Sequence, residues 1–357
     1  MKTFFLVCLF VCMAHFATAA EPVATVYDGA VLNEDVTWHG SILVRKFVVV
    51  APQATLRIDP GTVVRFAASA GQLPNIIVQG RIHAAGTAER PILMMSDQAV
   101  PARGAWGGIV LLSTEKRNLL EHCRIENVGT GIDVRFSTIT LQTVTIVQAR
   151  TALLSHDSVV HMDGGTVTDS DAGIEMFASE FDAKNLTISS CLQGGAFHKT
   201  SILLASSKIT GSRNAGLSAD ECRIRVSDGD FSDNSLGARI QRSEGQISQT
   251  RFQRNSYTAL HISDSPVKVQ RCQFSENMRD ALRTDDDRAL FLNNAFTANG
   301  GYSLVNNGRE NINARLNWWG TTDQSLIRQK IFDESQDKNV GSVHVLPWLN
   351  EKPPLMQ

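Results

Sequence analysis

The sequence has 357 residues, 43% of them hydrophobic and 20% charged, with a formal net charge of −2. Lys and Arg are dispersed among Asp and Glu with no basic block, so no nucleic-acid partner is expected. Beyond residue 20 no apolar run approaches the roughly 18 residues of a membrane helix, and no transmembrane anchor is expected.

Residues 1–20 read as a secretory signal, with Lys2, the apolar run FFLVCLFVC and the small-residue cleavage site Ala17-Thr18-Ala19. Losing Lys2 takes the formal charge from −2 to −3. The mature chain is expected to be exported, to the periplasm or the exterior. Cys8 and Cys12 leave with the signal. Cys123, Cys191, Cys222 and Cys272 fit no CxxC metal spacing and are read as small buried hydrophobes.

From Val36 to Phe66 the chain alternates in short strands: SILVRKFVVV, ATLRI, then TVVRF. Between the last two, Asp59-Pro60-Gly61 predicts a type II turn in which Gly61 takes a positive φ. NIIVQGRIHAAGTAERPILMMS repeats the pattern, and Trp106-Gly107-Gly108-Ile109 opens a third version. No helical periodicity interrupts these segments. Residues 21–107 are expected to form the N-terminal cap and first coils.

A regular repeat occupies residues 108–316. Its inward anchors are Ile132, Leu153, Ile174, Gly195, Leu217, Ala238, Leu260 and Leu282, whose numbers advance in nearly equal steps. A second apolar column, two-thirds of a step further on, runs Ile146, Val167, Ile188, Ile209, Phe231, Phe252, Phe274 and Phe296. A third, one-third of a step after the anchors, runs Ile139, Val160, Phe181, Ile202, Ile224, Gly245, Val267 and Ala289. A fixed period of this size, ~21–22 residues, means a solenoid. Three short strands per turn, with Ser, Asn, Asp and Gly at the corners, predict an all-β parallel coil rising ~4.8 Å per turn. Like columns then stack. Phe231 to Phe296 should form an aromatic ladder, and Asn234, Asn255, Asn277 and Asn299 a hydrogen-bonded one.

A leucine-rich repeat has an overlapping period, but it needs an L-x-L strand before its asparagine and a helical back. KVQRCQF and QISQTRF stand there instead. After Asn317-Trp318-Trp319-Gly320 the period stops, so residues 317–357 are expected to cap the coil, with a short helix over 325–332 and a last strand in VHVLPWL. Trp38, Trp106, Trp318, Trp319 and Trp348 fall towards the ends and read as cap packing.

The pattern resembles the right-handed parallel β-helix repeat family, pectate-lyase-like and NosD-like. The segments that carry the likeness are GSILVRKFVVVAPQATLRIDPGTVVRF, the Trp106–Ile109 element and LNWWGTTDQSLIRQKIFDESQDKNVGSVHVLPWL. The resemblance implies a right-handed coil and an exported bacterial protein. It also implies polysaccharide lyase or epimerase activity as an alternative to binding. The Gly-His-Gly and Arg-Ile-Lys elements of polygalacturonases are absent, and no arginine-containing motif of pectate lyases is found.

Chemistry is expected on an outward sheet face, where alternate residues form ladders along the axis. One position after the anchors lie Asp133, Leu154, Glu175, Ala196, Ser218, Arg239, His261 and Arg283; three positions after lie Arg135, His156, Phe177, His198, Asp220, Gln241, Ser263 and Asp285. A solvated face is the plain reading. The sharper one is a saccharide groove built from Glu175, Phe177, His198, Asp220, Arg239, His261 and Arg283. Phe177 would stack on a sugar ring, and the planar Arg fork suits carboxylates.

Asp285, Asp286 and Asp287 are the catalytic candidates, because paired carboxylates can divide acid and base roles; an acidic corner turn is the competing role. His156, His198 and Asp220 are the metal candidates, with His161, Met162, Met94 and Met95 in reserve for a NosD-like copper role. No cofactor is required by this reading, calcium at the acidic run and copper at the imidazoles being the alternatives. The expectation is a monomeric, non-catalytic binding or structural protein whose partner is a polysaccharide.

Overall fold

The computed structural model describes residues 24–68 and 71–354; the expected signal segment lies outside them. Three parallel sheets run along the chain, a first of 13 strands, a second of 14 and a third of 12, and successive strands pass from first to second to third and back. Thr25–Tyr27, Ala30–Leu32 and Val36–Trp38 already supply one strand to each sheet. The coil therefore starts with the described chain. No helix among the described residues is long and apolar enough to cross a membrane.

The registers follow the apolar columns. Ile132, Leu153, Ile174, Gly195, Leu217, Ala238, Leu260 and Leu282 pair in succession in the second sheet. In the first sheet Phe231, Phe252, Phe274 and Phe296 stack with ring centroids 5.2, 5.0 and 5.0 Å apart. Trp319 extends the stack, 4.9 Å from Phe296. Trp319 is thus a member of the ladder as well as of the C-terminal region. Trp106 also departs from the expectation of cap packing, since it lies in a strand of the second sheet and stacks on Phe66 at 3.8 Å.

The corners decide where outward side chains stand. Between the second and third sheets seven successive coils turn on one left-handed residue: Phe136, Asp157, Ala178, Lys199, Glu221, Arg242 and Asp264, with φ between 44° and 54°. For a residue other than glycine this conformation costs roughly 1–2 kcal/mol. Two features offset the cost. The corner amides keep the parallel ladder intact, as in Ala178 N–H to His198 O at 3.0 Å. The next residue is often a buried hydroxyl that bonds from coil to coil: Ser158 Oγ accepts from Ser137 N at 3.0 Å, and Ser179 Oγ from Ser158 N at 3.2 Å. A turn closed by one residue leaves no loop to carry the side chains before it out of line.

The corner between the first and second sheets holds the asparagine ladder. Asn277 Oδ1 accepts from the Asn255 amide at 3.0 Å, and Asn277 Nδ2 donates to Asn299 Oδ1 at 2.9 Å and Phe252 O at 3.0 Å. Gly61 has φ 80°, as its turn requires. Cys123, Cys191, Cys222 and Cys272 are free and buried, and burial pushes the Cys123 and Cys272 thiols up to about 12.

Beyond the last coil, Asp323 caps the short helix Gln324–Gln329, and Ile331–Phe332 adds the final strand of the second sheet. Val343–His344 pairs with Ile312–Asn313. These elements cover the end of a coil that would otherwise expose an unpaired edge.

Candidate functional site

The predicted ladders both occur on the outer face of the second sheet. Glu175 pairs with Ala196, Ser218 with Arg239, Arg239 with His261 and His261 with Arg283. In the neighbouring column His156 pairs with Phe177, Phe177 with His198, His198 with Asp220 and Asp220 with Gln241. The side chains are therefore one coil apart along the axis, ~4.8 Å.

Four of the predicted ligand-binding residues meet. Phe177, His198, Asp220 and Arg239 line a hollow of about 250 Å³ whose floor includes Ala196 and Ser218. The small side chains at these floor positions are what open it. Phe177 is 40% exposed, and one side of it is covered by the His156 ring at 4.8 Å with planes 8° apart. One face of the phenyl ring is thereby fixed. Arg239 is exposed, with no hydrogen bond or ion pair among the described residues.

Asp220 is the electrostatic centre. Its Oδ2 lies 3.3 Å from His198 Nδ1 and 2.5 Å from Arg242 Nη2. Its Oδ1 is buried and has no hydrogen-bond partner among the described residues. Arg242 and Glu221 were not anticipated in the site. Both occupy the left-handed corner four positions after an anchor, one step beyond the columns the sequence pattern singles out.

The other predicted residues are held elsewhere on the face. Arg283 Nη1 donates to Asp280 Oδ2 at 3.0 Å and Nη2 contacts Asn307 Oδ1 at 3.4 Å. Glu175 takes a contact from Thr151 Oγ1 at 3.5 Å. His261 stands between Arg239 and Arg283 in its column. Burial lowers its pKa, the two guanidiniums lower it further, Arg239 more strongly, and Asp285 opposes them. It is a neutral hydrogen-bonding group at neutral pH.

His198, Asp220 and Glu221 can bring one ligand atom each within 4.8 Å of one another. His156 does not join them, being stacked on Phe177 instead. The guanidinium of Arg242 already occupies the Asp220 oxygen that faces His198, which is a poor fit for a second cation.

Asp285, Asp286 and Asp287 are held differently from one another. Asp286 is only 4% exposed. Burial, the largest influence, raises its pKa, but it is outweighed by Arg288, whose Nη2 lies 2.6 Å from Oδ2 and whose amide lies 2.8 Å from Oδ1. The net shift is downward. A carboxylate so bound brackets the corner. Asp285 Oδ1 accepts from the Asp264 amide at 3.2 Å, and Asp287 is exposed.

These coils and ladders define a parallel β-solenoid with a polar outer face. A model described as a pectate-lyase-like beta helix domain matches residues 29–130, and one described as a right handed beta helix region matches residues 196–318. The chain belongs to the right-handed parallel β-helix family. No curated protein matches the sequence. Among solved structures it is similar to the A-module of Azotobacter vinelandii mannuronan C-5 epimerase AlgE6, at 9% identity over 93% of this chain and 90% of that one, with a TM-score of 0.45. It is also similar to the periplasmic alginate epimerase AlgG, at 9% identity over 87% and 74%, with a TM-score of 0.41. A third is the GH136 lacto-N-biosidase from Eubacterium ramulus, at 10% identity over 84% and 62%, with a TM-score of 0.23.

Proposed function

We propose that the protein is an exported, non-catalytic polysaccharide-binding protein of the bacterial envelope, and that the glycan lies along the outer face of the second sheet. The observation that carries this reading is the hollow shared by Phe177 and Arg239. An aromatic face held by its neighbour and an unpaired guanidinium three coils away are the groups that bind a sugar ring and its carboxylate. Their separation along the axis suits an extended chain rather than a single sugar. Binding without turnover is supported by the carboxylates: Asp220 and Asp286 are both engaged by arginines.

The test is affinity electrophoresis of the mature protein through gels containing polygalacturonate or dextran, alongside Phe177→Ala and Arg239→Ala. Retardation by one polymer, lost in both variants while Arg283→Ala retains most of it, is expected. The same polymer incubated with the protein should neither shorten nor gain an ultraviolet-absorbing unsaturated uronide. Retention of full retardation in Phe177→Ala and Arg239→Ala would overturn the placement of the site, and depolymerisation would overturn the non-catalytic role.

A further inference from the structure

A second depression lies around the corner, on the outer face of the third sheet. It comprises two adjoining hollows of about 650 and 730 Å³ that share Ser201, Arg223, Glu244 and Pro266. Its origin is Gly245. Every neighbour in this inward column, from Ile139 to Val267, carries an apolar side chain. Gly245 has none, and its φ of 136° is open only to glycine. A Cβ there would stand 1.9 Å from Ile224 O. The strand is pressed against the preceding coil, the inside–outside alternation breaks over Glu244–Ser248, and the outer surface is dented.

The charges around the dent do not cancel. Glu244 is paired with Arg223 at 3.1 Å, Glu221 with Lys199 at 3.6 Å, and Asp264 with Arg288 at 2.8 Å. Arg225 and Lys268 have no ion-pair or hydrogen-bond partner among the described residues, and both line the hollow. They belong to one outward column, Leu203, Arg225, Gln246, Lys268, in register from coil to coil. Two unpaired cations thus face one hollow two coils apart, ~9.6 Å at the parallel strand spacing, with an amide between them.

We propose that this dent is a second binding site, for an acidic glycan whose negative groups are carried on alternate sugars, with Arg225 and Lys268 each taking one carboxylate and Gln246 bonding the sugar between. No aromatic ring lines the dent to stack a base. This favours a polysaccharide over a nucleic acid. The site is independent of the hollow at Phe177 and Arg239.

The test uses the Phe177→Ala/Arg239→Ala protein, so that failure of the first site does not affect it. Its mobility is measured in gels containing hyaluronate, which carries a carboxylate on every second sugar, with dextran gels and polymer-free gels as references. Hyaluronate should retard it and single-stranded DNA should not. Adding Arg225→Ala/Lys268→Ala removes both charged contacts and should return the mobility in hyaluronate to its value in dextran. Both residues are outward-facing, and an unchanged melting temperature would show that the fold is intact. No retardation by hyaluronate, retardation that survives the added substitutions, or stronger retardation by single-stranded DNA would overturn the proposal.

Discussion

Arg242 Nη2 lies 2.5 Å from Oδ2 of Asp220, the same oxygen that faces His198 Nδ1 at 3.3 Å. Three coils thereby contribute one side chain each to a single polar junction. A divalent cation approaching His198, Asp220 and Glu221 has to displace the guanidinium, and like charges in close proximity disfavour this. Arg242→Ala should therefore raise the affinity for zinc at least tenfold, about 1.4 kcal/mol, measured by titration calorimetry. Equal, tight binding by both proteins would show that Arg242 does not guard the site.

The sequence made the two outward ladders legible because a parallel coil has a nearly constant period and inward columns of large apolar side chains. Once Ile132 to Leu282 are aligned, every outward position follows by counting. The corners were less legible. Ser137, Ser158 and Ser179 look like ordinary turn residues, yet each is buried and bonded between coils. Glu221 and Arg242 were missed because they sit at the left-handed corner, one position beyond the outward columns, from which Arg242 reaches Asp220. Arg283 lay in the predicted column, but its partner Asp280 sits three residues earlier, across a corner, where column counting does not look.

The aromatic ladder should be the most sensitive part of the core. Phe274 is fully buried between Phe252 and Phe296, with both centroids 5.0 Å away. Phe274→Ala opens a cavity and breaks two stacks, so a loss of about 3–5 kcal/mol is expected. Phe274→Leu should cost distinctly less. Denaturant unfolding of both variants would check the order, and equal losses would mean that the lost ring stacking, common to both variants, outweighs the cavity.

The asparagine ladder makes a sharper demand on chemistry than on shape. Asn277 accepts from the Asn255 amide and donates to Phe252 O and Asn299 Oδ1. Asn277→Asp keeps the volume but replaces the donor with an oxygen facing two acceptors. It should be destabilising by at least the ~1–3 kcal/mol of a buried unsatisfied group, and more so than Asn277→Ser. Thermal melts that place Asn277→Asp at or above the wild-type value would contradict the donor assignment.

His261 gives a pH dependence whose sign is fixed. Its folded-state pKa lies below the ordinary ~6.5, through burial first and then Arg239 and Arg283, against the opposing Asp285. The unfolded chain therefore binds the proton at a higher pH than the folded one. This contribution to stability is complete above the unfolded pKa and is lost as pH falls through the folded value. Lowering the pH from 7.5 to 5 should reduce the melting temperature of the wild type more than that of His261→Gln. Parallel declines in the two proteins would remove His261 as the source.

Gly245 ties the shape of the dent to the backbone of the third sheet. An alanine at this position must leave φ 136° or clash with Ile224 O, 1.9 Å from its Cβ. Strain of this kind costs of order 1–3 kcal/mol before any clash is relieved. Relief requires the strand Glu244–Ser248 to shift away from the Ile224 backbone of the preceding coil, which would reshape the depression and displace Gln246 from between Arg225 and Lys268. Gly245→Ala is therefore expected to lower the melting temperature and to weaken hyaluronate retardation together. Gly211→Ala provides the control. Gly211 also has a positive φ, 67°, but lies at an exposed corner away from the dent, where the nearest atom to a Cβ is 3.5 Å away. It should cost stability without affecting retardation. Equal retardation of wild type and Gly245→Ala at matched stability would separate the dent from the glycine that shapes it.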